Sequence, residues 1–261
     1  MLSNFSVISD QYKTFAENKS KCKQCSIFQS YKQVVQSEGN AKNPTFVFIG
    51  ECPGRDETEQ NRPFIGRAGQ RLRKELKKHK SFNKTTTLIT NVLSCRPLNN
   101  RFPCDSDGPY EIYHKNGAKK IVKARQVVNF CATNWLRKEL DIVKPKIIIT
   151  LGSQALDYVR GDRGVTAMRG MWKFLPRYRA WSMAVFHPSY VLRCQNDPNK
   201  SYISEQFDED IENVASNWYT IVQDDPRMRM TEEAWKREYA LQYSIDKGIF
   251  NKPLNQSGQD D

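Results

Sequence analysis

The sequence predicts a three-layer α/β fold, a four-stranded parallel sheet sandwiched between helices, on three observations. Four short runs, TFVFIG (45–50), TTLITNVLS (86–94), KIIITLG (146–152) and WSMAVFHPS (181–189), are apolar and largely β-branched without strict alternation. That is the pattern of strands buried on both faces. Helical periodicity lies between the runs, giving the strand–helix–strand rhythm of such a domain. Finally, each run empties into an unusual polar segment: GECPG, TNVLSCRP, TLGSQA or FHPSYVLR. In a parallel sheet these segments gather at the carboxyl ends of the strands, where ligands bind.

In chain order, the first run turns on Pro53 and Gly54 and carries four acids, Glu51, Asp56, Glu57 and Glu59, in a chain of formal charge +12. A helix is expected over 69–80, with Leu72 and Leu76 on its packed face. The stretch 67–84 around it holds eight Lys or Arg and one acid, either a solvated face or a source of phosphate contacts near Arg67 and Arg71. After the second run, residues 101–128 break the rhythm. DSDGP and KNG are turn chemistry, and the flanking YEIYH and KKIVK alternate, so a hairpin-like insertion is expected at about 104–128. Helices are expected over 126–140 and 153–160, on either side of the third run. Beyond Arg193 the chain becomes highly charged, with acidic EQFDEDIE and an amphipathic helical pattern over 230–250. The end, NQSGQDD, has a disordered composition. The expected division is an α/β domain over 1–199 and a charged, partly helical C-terminal extension over 200–261. No internal repeat is found.

Lys and Arg number 41 against 29 acids, and the isoelectric point is near 9.3. Such an excess favours a polyanionic partner, DNA or RNA first, through counterion release; a merely solubilising surface is the competing reading. No apolar run approaches the ~20 residues of a membrane span. The N-terminal stretch lacks a basic-then-apolar leader, so the expectation is a cytoplasmic protein with no membrane association, monomeric by default. Seven cysteines in such a chain are expected as metal ligands or core residues rather than disulfides. Cys22 and Cys25 have a spacing that lets two thiolates share one metal centre, although a lone C-x-x-C fits zinc, redox or no role equally well. Cys95 and Cys131 would complete a four-thiolate set, with Cys104 competing for the fourth place. Cys52 and Cys194 read as ordinary buried thiols.

The stretch GECPGRDETEQNRPFIGRAGQ (50–70) closely resembles the first motif of the iron–sulfur, or family 4, uracil-DNA glycosylases. CKQC and VVQSEGN before it, and TNVLSCRPLNNRFP, VKPKIIITLGSQAL and HPSYVLR after it, extend the resemblance in order over roughly residues 20–195. The resemblance implies a parallel sheet between helices, a [4Fe–4S] cluster on Cys22, Cys25, Cys95 and Cys131, and hydrolysis of the bond joining a base to deoxyribose in DNA. The base must first be flipped out of the stack, which costs a few kcal/mol. Phe64 would then be its stacking platform, and the Asn91 amide would read the N3–H and O4 edge of uracil, opposite in polarity to cytosine. Bond cleavage makes an oxocarbenium-like sugar and an anionic base. Glu51 is the candidate for the carboxylate near C1′ that also orients water, with Glu57 its rival or the group that holds the loop. His187 is the candidate donor to the base O2, and Gly54 permits a close backbone approach. On this resemblance Glu51 or Glu57 would serve a cationic sugar, Asp56 and Glu59 would solvate or cap the loop, and the basic surface would serve phosphates.

SYVLR (189–193) resembles the loop that wedges into the minor groove, making Val191, Leu192 and Arg193 candidates; a buried helix start is the alternative. The chain departs from the family pattern at Thr58, where an acid is common, at Asn61, where glycine is common, and in the insertion and the tail. Uracil is the expected base. A glycosylase for a hypermodified cytosine in phage DNA is a second reading. A non-catalytic DNA-binding protein on the same fold and a zinc-binding domain are readings of other classes.

Overall fold

The computed structural model describes residues 2–114 and 116–246. Among the described residues there are nine strands: β1 (Phe5–Val7), β2 (Glu38–Asn40), β3 (Phe46–Gly50), β4 (Thr87–Asn91), β5 (Tyr110–Tyr113), β6 (Lys119–Val122), β7 (Ile147–Leu151), β8 (Trp172–Leu175) and β9 (Ala180–Val185). Seven of them form one sheet in the order β1-β2-β4-β3-β7-β9-β8. The four apolar runs are the parallel centre β4-β3-β7-β9, and every residue of β3, β4 and β7 is buried. The expected four-stranded parallel sheet is therefore corrected to a seven-stranded mixed one. β8 adds antiparallel to β9, β2 adds antiparallel to β4, and β1 pairs with β2. These edge strands are three or four residues long and lack continuous apolar runs, so tertiary pairing rather than local pattern makes them strands.

Alternation in the central strands divides two cores. Val47, Ile49 and Leu88 face one with the N-terminal helix Asp10–Ser20 and the helical stretch 124–143, while Phe46, Phe48 and Ile89 face the other with helix Arg67–Leu76. The expected helix over 126–140 is part of that longer stretch, which carries a π turn at Ala132–Arg137. The helix expected over 153–160 spans Gly152–Arg160. Helix Tyr202–Asp224 lies beyond the expected boundary at 199, yet its Ile203, Phe207, Ile211 and Val214 complete the second core beside Phe46 and Met183. The amphipathic pattern farther on forms helix Glu232–Asp246; 247–250 and the tail NQSGQDD lie outside the described residues. No helix among the described residues is long and apolar enough to cross a membrane.

Glu139, fully buried, ties three segments together. It accepts hydrogen bonds from Tyr12 and Ser37, from the Thr90 hydroxyl at 3.0 Å and from the Lys19 ammonium at 3.3 Å. Removing one partner of such a buried pair typically costs about 3–5 kcal/mol. Thr90 immediately precedes Asn91, so the network anchors the strand end that carries it.

The insertion forms the expected hairpin from β5 and β6. It docks on the first cysteine pair: Ile112 bridges Cys25, the Tyr113 N–H donates to the Gln24 carbonyl at 2.8 Å, and the Glu111 N–H donates to Ser26 Oγ at 3.0 Å.

Candidate active site and cysteine cluster

A cleft opens at the carboxyl ends of β3, β4 and β9. Its walls include Glu51, Gly54, Glu57, Phe64, Asn91 and His187, together with Arg67, Arg96 and Arg193. Every residue expected in a catalytic or base-reading role thus meets in one depression, although Glu51 and His187 lie 136 positions apart in the chain.

Glu57 sits in the first turn of the short helix Arg55–Gln60, where a carboxylate suits the unpaired amides. Its Oε2 accepts from the Gly54 N–H at 3.1 Å, and its Oε1 accepts from Ile65 and Gly66 at 3.0 and 2.8 Å. Three backbone donors engage this carboxylate and tie the loop, whereas no hydrogen bond engages the Glu51 carboxylate among the described residues; both line the cleft. The departures at Thr58 and Asn61 are structural. The Thr58 hydroxyl donates to the Gly54 carbonyl at 2.7 Å. Asn61 takes the left-handed conformation (φ 51°) that glycine would supply, and its side chain accepts from the Gln36 N–H at 3.0 Å.

Phe64 is also left-handed (φ 54°), a conformation that costs a bulky residue of order 1–3 kcal/mol and persists only where its surroundings enforce it. The enforcing group is Arg73, which donates to the Phe64 and Pro63 carbonyls at 2.8 and 2.9 Å while Glu38 holds its guanidinium at 3.1 and 2.9 Å. Gly69 lets its helix abut the Phe64 backbone, since a Cβ there would lie 1.9 Å from the Phe64 carbonyl carbon. The ring then stands 6.1 Å from the His187 ring. Gly50 supplies the floor: a Cβ at that position would meet Phe64 Cζ at 2.3 Å and Asn91 Oδ1 at 2.5 Å. Asn91 ends β4 with no hydrogen bond to its side-chain amide among the described residues, leaving donor and acceptor for a ligand.

His187 caps helix Pro188–Cys194. Its Nδ1 accepts from the Ser189 N–H at 3.2 Å and lies 2.7 Å from Ser189 Oγ, so the ring proton belongs on Nε2. Burial, reinforced by the Arg193 cation, depresses the imidazolium pKa to about 4. The ring is therefore a neutral donor at physiological pH. Gly152 (φ 85°) makes room behind it, where a Cβ would come within 2.7 Å of His187 Cβ. Burial raises the Glu51 pKa above the usual carboxylate range, and Arg193 partly offsets this. A carboxylate in such a setting is poorly hydrated and interacts strongly with a nascent cation.

The expected DNA contacts divide. Arg67 and Arg193 line the cleft. Arg71 instead pairs with Asp208 and, at 3.2 Å, with Glu75, its guanidinium over the Phe207 ring at 4.7 Å. That ties it to helix Tyr202–Asp224. Val191 is 1% exposed and belongs to the second core, as the buried-helix alternative had it; Leu192 is half-buried and Arg193 exposed. Sequence reasoning missed Gly50, Gly69, Arg73, Gly152 and Ser189. Only glycine at a strand end, as in FIGE, signalled any of them.

Cys22, Cys25, Cys95 and Cys131 line one cavity, walled otherwise by apolar groups such as Phe28, Leu93 and Trp135. Burial pushes the Cys95 and Cys131 thiols up, and the neighbouring cysteines add to it. Cys104 is elsewhere, its sulfur 3.4 Å from the Arg101 guanidinium and 3.0 Å from Ser106 Oγ. Among the described residues, no three His, Cys, Asp or Glu side chains gather as one metal ion would require. A four-iron cubane puts each thiolate on its own iron and spaces the sulfurs wider than a single zinc does. Four convergent thiols around a largely apolar space fit a [4Fe–4S] cluster, and Cys131, not Cys104, lines that space.

Residues 36–209 match the uracil DNA glycosylase superfamily. The type-4 uracil-DNA glycosylase of Sulfurisphaera tokodaii is 29% identical over 202 residues, 76% of this chain and 81% of that protein. The type-4 uracil-DNA glycosylase of Thermotoga maritima is 30% identical over 210 residues, 77% of this chain and 91% of that protein. That of Pyrobaculum aerophilum is 34% identical over 145 residues, 54% and 62% of the two chains. With the cleft and the four thiols placed as they are, the chain belongs to the uracil-DNA glycosylase superfamily, in its type-4, iron–sulfur branch.

Proposed function

We propose that this protein is a DNA glycosylase that removes uracil from DNA, acting in the cytoplasm as a monomer. The flipped base stacks on Phe64 and is read by the Asn91 amide, which donates to O4 and accepts from N3–H. As the glycosidic bond breaks, electrons flow onto the base, and His187 Nε2–H donates to the O2 that becomes negative. Glu51 faces the sugar, stabilises positive charge at C1′ and orients the water that adds there. The water's proton leaves to Glu51 and is then released to solvent, the departed base anion takes up a proton from solvent, and the products are free base and an abasic site. Glu57 keeps the Gly54–Gly66 loop closed around this geometry, while Arg67 and Arg193 bind phosphates.

The [4Fe–4S] cluster on Cys22, Cys25, Cys95 and Cys131 ties the N-terminal segment to the body of the fold. Glycosidic hydrolysis transfers no electrons, so that tie is the contribution it makes here. The observation that carries the reading is the neutral His187 donor, fixed in its Nε2–H tautomer by Ser189 and facing the same cleft as Glu51, Phe64 and Asn91. A larger, modified base has less support, because the insertion that would have re-tooled the pocket lies against Gln24–Ser26 and outside the cleft walls.

The test is release of base from labelled DNAs containing uracil, hypoxanthine, 5-hydroxymethylcytosine or its glucosylated form, followed by alkaline cleavage. Uracil release that vanishes in His187→Ala is expected. Release from a modified cytosine alone, or from none of them by brown, folded protein, overturns the proposal.

A further inference from the structure

The turn after β4 contains an exposed apolar side chain for which neither the base-reading nor the catalytic residues account. Leu98 is 64% exposed. Single exposed leucines are common on protein surfaces and by themselves mean nothing. Three features separate this one.

The first is place. Arg96 and Asn100, two residues to either side, both line the cleft, and Asn100 Oδ1 lies 3.8 Å from where a Gly54 Cβ would stand. The second is backbone. Asn99 (φ 53°) and Asn100 (φ 59°) are both left-handed, and the turn is closed by the Asn100 and Arg101 N–H groups donating to the Pro97 and Leu98 carbonyls, each at 3.1 Å. With Pro97 buried, this turn carries Leu98 outward. Asparagine enters this region more readily than other side chains, so the pair sets the tight turn at little cost. The third is charge. The Arg96 guanidinium lies 4.2 Å from the centre of the Tyr31 ring, with its Nε 3.3 Å from Asn100 Oδ1, and Arg101 follows the turn. An apolar tip between two cations suits a DNA groove, where cations meet phosphates and the tip meets stacked bases.

We propose that Leu98 is a second DNA wedge, entering the base stack beside the flipped nucleotide and filling part of the space it leaves. The inference rests on the glycosylase reading and deepens it. It also meets a shortage: with Val191 in the core, the three residues expected to wedge from helix Pro188–Cys194 reduce to half-buried Leu192 and exposed Arg193.

A wedge matters only where there is a stack to hold open, which supplies the test. Leu98→Ala is compared with wild type on uracil in duplex and in single-stranded DNA under single-turnover conditions. Loss of about tenfold on duplex is expected, equivalent to roughly 1.4 kcal/mol of the few spent on unstacking, with single-strand rates within twofold. Leu98→Met is expected to retain duplex activity. An unchanged duplex rate, or equal loss on both forms, overturns the wedge. A second readout needs no chemistry: 2-aminopurine beside a tetrahydrofuran abasic analogue should brighten on binding wild type and less so on binding Leu98→Ala. If wild type releases no uracil, the glycosylase reading falls and the fluorescence comparison alone decides the wedge.

Discussion

Replacing Gly50 by alanine adds one methyl group where the base-reading groups converge. That methyl would stand 2.3 Å from Phe64 Cζ and 2.5 Å from Asn91 Oδ1. Ordinary contact between carbon atoms is about 3.5–4.0 Å, so the ring must retreat by more than ~1 Å. Its backbone has little freedom to follow, because Arg73 holds the Phe64 carbonyl and Gly69 closes against it. A misplacement of about 1 Å costs roughly 100-fold in a reaction that depends on orientation. The stability cost is smaller. Overpacking costs about 1–3 kcal/mol, and replacing glycine within a strand returns roughly 0.5–1 kcal/mol. At about 2–4 °C per kcal/mol for a chain of this size, Tm should fall by only a few degrees. The assay pairs single-turnover uracil excision with thermal melting of the iron-loaded protein. Excision within threefold of wild type would refute the reasoning, as would a collapse in Tm large enough to explain the lost rate.

Four other outcomes are expected. Glu57→Gln replaces a carboxylate that accepts three N–H bonds by an amide with one oxygen, so it should lose both activity and about 1–3 kcal/mol of stability by denaturant titration. Glu51→Gln should lose activity with little change in stability. In the pH profile of excision at saturating enzyme, the acidic limb reports protonation of Glu51, whose pKa burial raises and Arg193 lowers. Arg193→Ala removes the lowering influence, so the carboxylate protonates sooner on acidification and the limb moves to higher pH; movement to lower pH contradicts the assignment. Cys131→Ser should lose the brown iron–sulfur absorbance, while Cys104→Ser keeps it, and the reverse result would relocate the fourth ligand.

The four central strands were legible because burial on both faces leaves a local mark: TFVFIG and KIIITLG have no solvent side. Glu51, Asn91 and His187 were legible at strand ends, since a parallel sheet brings its carboxyl ends together, whereas Phe64, 14 residues beyond β3, was legible only through the resemblance of its motif to the family. Periodicity could not reveal EGN, FSV and WKFL as strands, because their partners rather than their composition determine them. Nor could it reveal that helix Tyr202–Asp224 closes the second core, since the acidic run EQFDEDIE interrupts its apolar positions.

Sequence by itself determined the strand–helix order, the candidates Glu51, Phe64, Asn91 and His187, and the set of thiols from which the cluster ligands come. Only the tertiary structure decided among rivals. It gave Glu57 to three backbone amides and left Glu51 in the cleft; it put Cys131 rather than Cys104 beside the other thiols; it buried Val191 and left Leu98 exposed. The physical reason is the same in each case. A residue's type sets what its atoms can do, but burial, partners and distance set which of those capacities is free, and these come from segments far away in the chain.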